Sequence, residues 1–417
     1  MPASSLRIQL WSYNYDPEPT GIGPISKVWA EGLRDLGHDV RVVAAHPHYP
    51  EPRWGTRVRP YREVRNGIPV LRLPLWIGRD TAMERYRQEL TFMAAQTCAA
   101  PFLRGADVLV SASPSFPALL PAILNKRARR TPWVLWLHDL LPDGATASGI
   151  VHEGSPVIRA ARRLERWAYR EADVIAVLSQ AFTDNLVAKG VAADKITLVY
   201  DPASRVPREG LSGRADGVPR LLSMGNIGYS QGLAALVRAF EQDESLSDRD
   251  VKLVITGNGV AADDVRAEIR TDKTEMLGLV DDDRLEQELQ HATLAFVTQH
   301  HEGSEFNIPS KIMNFMAYGL PILAAVNPQS EVARIVEQAA GGWVVDSARP
   351  AEFPRRLAEI LHDPEEIQRR GAASRAYAER HFTQDGFARR FDELLRSTVA
   401  RAATVHRAAA TAAGRGS

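Results

Sequence analysis

Short apolar, β-branched runs alternate with helix-period segments along almost the whole chain, and this alternation is what most limits the folds open to it. It is the pattern of parallel sheets with crossover helices. Two such series are present. The first predicts strands at Leu6–Tyr13, Asp39–Ala45, Val70–Leu73, Asp107–Ser111, Trp133–Leu137, Val174–Leu178 and Ile196–Val199. The second predicts them at Arg220–Met224, Lys252–Thr256, Glu275–Leu279, Leu294–Thr298, Ile322–Ala325 and Trp343–Val345. Residues 202–218, rich in Pro, Gly, Ser and charge without a sustained period, read as a linker. The expected architecture is α/β: a Rossmann-like doubly wound domain over 1–201, the linker, a second such domain over 219–385, and a C-terminal helix with a frayed tail over 386–417.

Composition narrows the class of activity. With 51 Lys and Arg against 51 Asp and Glu, the net charge is zero, so nothing pulls the chain as a whole onto duplex nucleic acid. The single cysteine, Cys98, excludes an internal disulfide and a cysteine-based metal site, which fits a reducing cytoplasm. Residues 1–10 lack a signal-peptide pattern. The most apolar stretch, Val108–Leu124, is interrupted by three serines and three prolines, so any membrane contact is expected to be peripheral, at the inner face.

Two doubly wound domains in tandem are expected to make a cleft at the carboxyl ends of their strands, which places function in the strand-to-helix loops. Glu305–Pro321 is the most informative of these. A polar loop leads through Pro309, suited to a first helical turn, into a helix closed by Gly319-Leu320-Pro321, and Lys311 adds a full charge where a diphosphate would sit. An ordinary Pro start and Gly stop is the plainer explanation of the same residues. Further loops follow the first strand (Tyr15–Pro24), the eighth (Gly225–Gly232) and the ninth (Gly257–Gly259). Gly21 and Gly23 resemble a dinucleotide fingerprint, but Ser26 holds the third glycine position, so close approach of another molecule to the backbone, or a simple turn, explains them better.

Other clusters carry competing readings. Asp283 followed by Glu286 makes a capping box, which explains Asp281-Asp282-Asp283 without a metal. His46 with His48, and His300-His301-Glu302, lack zinc spacing and read as cleft-wall loops. His138-Asp139 end a strand, where an imidazole titrating near neutrality could position a hydroxyl; capping of the next segment is the alternative. Arg159, Arg162, Arg163, Arg166 and Arg170 recur at helical spacing, either as a solvated face or as one resting on anionic lipid.

Taken together, Asn14–Gly23, Gly37–Val40, Pro47–Pro50, His138–Pro142, Gly225–Gly228, Gln231–Leu233, Pro309–Lys311 and Ser330–Val336 resemble the retaining glycosyltransferases of family four, with the GT-B fold, in particular the subgroup around colanic-acid-type and aminosugar-linked fucosyltransferases. The resemblance implies a nucleoside-diphosphate-sugar donor in the C-terminal domain, an acceptor in the N-terminal domain, no metal or other cofactor, and hexosyl transfer with retention. Carried over by position, His138, Lys311 and Glu305 would be catalytic. Gly225, Asn226, Gln231, Gly257, Phe306, Asn307, Ser310, Asn314 and Glu331 would hold the donor, and Gly21, Ile22, Gly23 and Asp139 the acceptor. The chain departs from the family at Asn226 and Gln231, where an Arg and a Lys are common, at Asn314, where a glutamate usually holds ribose, and at Tyr200-Asp201-Pro202, which lacks the usual Asn-Gly turn. With those two positions neutral, Lys311 becomes the principal charge for the leaving diphosphate. Acceptors compatible with this reading are a lipid-linked glycan in polysaccharide assembly or a natural product. The alternatives are a sugar-nucleotide epimerase or hydrolase, and a non-catalytic nucleotide-sugar-binding subunit.

Overall fold

The computed structural model describes residues 4–19, 21–48, 54, 57–78, 81–113, 118–140, 154–207, 217–246, 249–301 and 308–413. Two compact units emerge: residues 1–200 with 384–417, and residues 201–383.

Unit 1 holds an eight-stranded sheet built from β1 (Arg7–Ser12), β2 (Asp39–Ala45), β3 (Tyr61–Arg65), β4 (Ile68–Leu73), β5 (Val108–Ser113), β6 (Trp133–Leu137), β7 (Val174–Val177) and β8 (Ile196–Leu198). Their order is β3-β4-β2-β1-β5-β6-β7-β8, parallel except for the β3–β4 hairpin. That hairpin is an addition to the predicted strands. Asn66 and Gly67 both adopt positive φ, as a tight two-residue turn requires, and Arg65 pairs with Ile68 across it.

The core of unit 1 packs Ile8, Leu10, Val42, Val110, Val134 and Trp136 of the sheet against Trp29, Ala30 and Leu33 of the helix Gly23–Asp35. The rest comes from the far end of the chain. Phe387, Phe391 and Leu395, on the helix Gln384–Ala413, complete the same cluster, with the Phe391 ring 5.1 Å from Trp136 and 5.8 Å from Trp29. Burying each of these three side chains contributes ~2 kcal/mol. A polar clasp fixes the register of that helix: His38 Nδ1 accepts from the Leu6 N–H at 3.0 Å, which leaves the proton on Nε2, 2.8 Å from Asp392. The segment read as a frayed tail is therefore helical to Ala413, and its apolar stripe belongs to the first unit.

Unit 2 holds an entirely parallel sheet of β9 (Arg220–Met224), β10 (Lys252–Thr256), β11 (Thr274–Gly278), β12 (Leu294–Thr298), β13 (Ile322–Val326) and β14 (Gly342–Asp346), in the order β11-β10-β9-β12-β13-β14. Leu253, Ile255, Phe296 and Leu323 meet Leu236, Val237 and Phe240 of the helix Leu233–Gln242, and Phe353 and Leu357 of the helix Glu352–Ile360. Residues 201–207 are not a free linker. Ala203 donates to the Phe382 carbonyl at 2.8 Å and Arg205 pairs with Asp282 at 2.6 Å, so the start of that segment is bound into unit 2.

In each sheet the winding reverses once: at β1, which lies between β2 and β5, and at β9, which lies between β10 and β12. The loops leaving β1, β9 and β12 are thereby placed at the switch points where open α/β sheets bind ligands.

Candidate active site

In unit 2, β9 ends in Gly225-Asn226-Ile227-Gly228, followed by a 3-10 turn at Tyr229–Gln231 and by Gly232, which opens the helix Leu233–Gln242. The neighbouring loop after β10 is locked onto it. Ile227 donates to the Asn258 carbonyl at 3.0 Å, and a side chain at Gly257, where φ is +125°, would put its Cβ 1.9 Å from the Gly225 carbonyl oxygen. Gly257 thus serves the approach of two backbones within the protein.

Gln231 is the hub of this region. Its carbonyl accepts from Thr298 Oγ1, at the end of β12, at 2.7 Å, and its side-chain Nε2 donates to the Asn226 carbonyl. Its remaining acceptor, Oε1, receives Lys311 Nζ at 3.2 Å. Lys311 is only 8% exposed, and burial lowers its pKa from 10.5 to about 8. Gln231 is its one hydrogen-bond acceptor among the described residues, which leaves two of the three ammonium donors unfilled. A buried cation with two free donors, bordered by the exposed amide of Asn226, is suited to a phosphate oxygen.

The helix carrying Lys311 runs Lys311–Ala317, with exposed Ser310 as its N-cap residue. Pro309 therefore lies before the cap instead of in the first turn, and its carbonyl accepts from the Ile312 N–H at 3.0 Å. Six consecutive residues from Lys311 to Met316 are buried, so packing rather than a Pro start holds this short helix. Glu305, Phe306 and Asn307 lie outside the described residues.

Two further expected donor contacts turn out to be engaged within unit 2. Asn314 Oδ1 accepts from the Arg205 N–H at 3.0 Å and from Ser204 Oγ at 3.3 Å, so the amide anchors the entering chain. Glu331, 3% exposed, pairs with Arg334 one turn along its helix. Asp281, not Asp283, caps the helix Asp282–His291 by accepting from the Arg284 N–H at 2.8 Å. The carboxylate of Glu286 instead accepts from Tyr318 and Gln290. His301 Nδ1 sits 3.0 Å from Asp346, whose carboxyl is held low first by the Ala348 N–H and then by this histidine. Among the described residues no group of three His, Cys, Asp or Glu side chains could hold a metal ion.

In unit 1 the loop after β1 is organised by a residue the motif reading passed over. Glu18 is 2% exposed; its Oε2 accepts from Asn14 Nδ2 at 3.0 Å and its Oε1 from the His48 N–H at 3.0 Å, with His48 Nδ1 3.3 Å away. Its position between Pro17 and Pro19, in a stretch with few other charges, was the available signal. His46 and His48 are buried within the unit, not arrayed along a wall. Gly21 has φ +62° with open space beside it, whereas a Cβ on Gly23 would meet the Glu18 carbonyl at 2.7 Å. Ile22 points into the core, so only its backbone is available to an acceptor. His138 and Asp139 follow β6. The ring of His138 lies 4.5 Å from Trp136 with Nε2 sealed from solvent, and burial lowers its pKa to about 3, while burial raises Asp139 to about 6. His138 is therefore neutral throughout the physiological range and does not titrate near neutrality as its type alone implies.

Gly225, Asn226, Gln231, Gly257 and Lys311 thus come together at the switch point of unit 2, while His138, Asp139, Gly21, Ile22 and Gly23 belong to unit 1. Comparison with known proteins agrees with this division. Residues 20–202 match the model of the glycosyl transferase 4-like domain, and residues 211–377 match that of glycosyl transferases group 1. The chain is 23% identical over 409 residues to the putative colanic acid biosynthesis glycosyl transferase WcaI of Escherichia coli (strain K12), covering 93% of this chain and 98% of that one. Its fold is similar to that of sucrose-phosphate synthase from Thermosynechococcus elongatus, with TM-score 0.70, 17% identity, and 94% and 99% of the two chains covered. It is similar also to Anabaena HepE in complex with UDP, with TM-score 0.68, 16% identity, and 94% and 100% covered. On the two domain matches and the two parallel sheets, the chain belongs to the family-four glycosyltransferases of the GT-B fold.

Proposed function

We propose that this glycosyltransferase moves a hexosyl group from a nucleoside-diphosphate sugar to a hydroxyl acceptor with retention of configuration and without a metal ion. The observation that carries the reading is the buried ammonium of Lys311 at the switch point of unit 2, held by Gln231 and with two donors unfilled among the described residues. Structures of similar fold support the donor class: Anabaena HepE is described in complex with UDP and with UDP-glucose, and starch synthase IV from Arabidopsis thaliana with ADP and acarbose.

As the bond from the anomeric carbon to the phosphate oxygen breaks, negative charge grows on the diphosphate, and a cation already in place lowers the barrier most. Lys311 supplies that charge, and Gln231 fixes its direction. The acceptor oxygen attacks on the face the diphosphate leaves, and its proton passes to a phosphate oxygen of the departing group. His138, neutral and partly exposed, positions a hydroxyl instead of removing its proton. The acceptor in this reading is a lipid-linked glycan or a natural product; a lipid-linked one would bring the enzyme to the inner face of the membrane as a peripheral protein. Among the described residues no helix is long and apolar enough to cross a membrane.

A panel of nucleoside-diphosphate sugars, read first by thermal shift and then by transfer in the presence of EDTA, tests this reading. Stabilisation by a particular donor, with retained transfer under chelation, is expected. Consumption of donor without acceptor would instead indicate an epimerase or hydrolase, and binding without turnover a non-catalytic subunit.

A further inference from the structure

The connections that follow β4, β5 and β6 run in the opposite direction from the one that follows β1, so right-handed crossovers put their helices on the sheet face away from the helix Gly23–Asp35. Those helices are Ala82–Ala99, Leu119–Arg129 and Pro156–Glu171, and they pack side by side in that order. Their inward sides bury Phe92, Leu119, Ile123 and Ile158. Their outward sides share an unusual composition.

On the first helix Met83 (63% exposed), Tyr86 (51%) and Leu90 (41%) follow one another at helical spacing along the solvent side. The backbone N–H of Trp76, whose residue is 53% exposed, donates to Thr91 Oγ1 at 2.9 Å and so ties this residue beside them. Leu124 on the middle helix and Val157 on the third extend the apolar surface. The third helix turns Arg159, Arg163, Arg166 and Arg170 to solvent, each without an acidic partner among the described residues. Both of its acids are spent elsewhere: Glu165 is buried against Tyr169 and Lys189, and Glu171 takes Arg127 and Trp167. The middle helix contains no acid at all. The first helix carries Glu84, spent on the capping box with Thr81, and Glu89, so the excess of positive charge is confined to the middle and third helices, in a chain whose 51 bases and 51 acids balance.

Large interfacial side chains along one outer helix and arginines without a described acidic partner along the other, with the acid-free middle helix between them, are the chemistry of a headgroup region: the rings and aliphatic chains enter the boundary with the acyl layer, and the guanidinium groups meet phosphates. We propose that this three-helix face of unit 1 docks on a lipid leaflet bearing anionic headgroups, with Trp76, Met83, Tyr86 and Leu90 inserted and Arg159, Arg163, Arg166 and Arg170 on the phosphates. In its biological meaning the inference rests on the lipid-linked acceptor reading, but its test needs neither donor nor acceptor and so fails separately.

The test is flotation of the full chain with phosphatidylcholine vesicles, with and without phosphatidylglycerol. Binding is expected only with the anionic lipid, weakening as salt is added. The combined R159Q, R163Q, R166Q and R170Q variant should bind ~1000-fold more weakly, and the same four positions changed to lysine should restore most of the affinity. M83S with Y86S and L90S should leave a weaker association that moderate salt abolishes. Equal binding to both vesicle types, or undiminished binding by a folded four-glutamine variant, overturns the proposal. So does a stable dimer, seen by light scattering, that Y86S dissociates, because the apolar stripe would then belong to a second copy of the chain.

Discussion

The two switch-point loops of this enzyme occupy equivalent places in similar sheets and solve opposite electrostatic problems. After β1 the buried charge is an anion, Glu18, and the unit surrounds it with the donors it needs from Asn14 and His48. After β9 and β12 the buried charge is a cation, Lys311, and the described residues of the unit supply only one acceptor. A satisfied buried charge holds a loop in shape. A half-satisfied one costs stability in the empty protein and is compensated when an anion arrives. The loop built around Glu18 is thus scaffolding, and the one around Lys311 has, under the proposed function, the character of a receptor.

The sharpest way to break this contrast is Lys311→Met, which keeps the length of the side chain and removes its charge. Transfer should fall by roughly 10²–10³-fold in kcat, while the melting temperature is unchanged or higher, since an apolar side chain replaces an under-compensated ion. A melting temperature several degrees lower would show that Lys311 holds the fold together. Glu18→Ala should show the reverse pattern: a loss of ~3 kcal/mol in urea unfolding because His48 and Asn14 lose their acceptor, with a melting curve that moves far more than any donor-binding constant. Gln231→Ala leaves Lys311 without its acceptor and should lower kcat by about tenfold, with donor KM affected less. An unchanged kcat would remove Gln231 from the positioning role.

The smallest expected effect is in pH dependence. In the folded protein the Lys311 pKa, about 8, lies below its ordinary value of 10.5, so the unfolded chain binds more protons between these two values. Stability from this group should therefore rise as pH increases from about 8 toward 10.5, a gain absent from Lys311→Met. Activity should move the other way, with kcat/KM declining as pH rises past about 8 and the ammonium is lost. His138, lowered to about 3, should contribute no inflection between pH 5 and 8.

What the sequence made legible follows the range of the interactions involved. Strands such as Trp133–Leu137, Arg220–Met224 and Leu294–Thr298 are bounded as predicted, because an apolar β-branched run between polar turns is a local signal. The strand Tyr61–Arg65 was missed because its charged alternation hides its period, although Asn66-Gly67 marked the turn. The capping Asp was placed two residues late, a shift that three consecutive aspartates leave undetermined. Lys311 and Gln231 were both singled out by position, but their contact joins residues 80 apart and was not visible. Nor was the neutrality of His138, which depends on burial and not on the residues beside it.

The return of the helix Gln384–Ala413 to the first sheet also sets an order of assembly. Folding during synthesis normally lets an N-terminal domain close before the next one appears. Here the early-made sheet must wait for Phe387, Phe391 and Leu395. Until they emerge, Trp29 and Trp136 lack the side chains that cover them, while residues 201–383 have every part of their own core in hand. The unit translated first is the one finished last, and a nascent chain stalled before residue 384 would present the ribosome's surroundings with an open apolar seam.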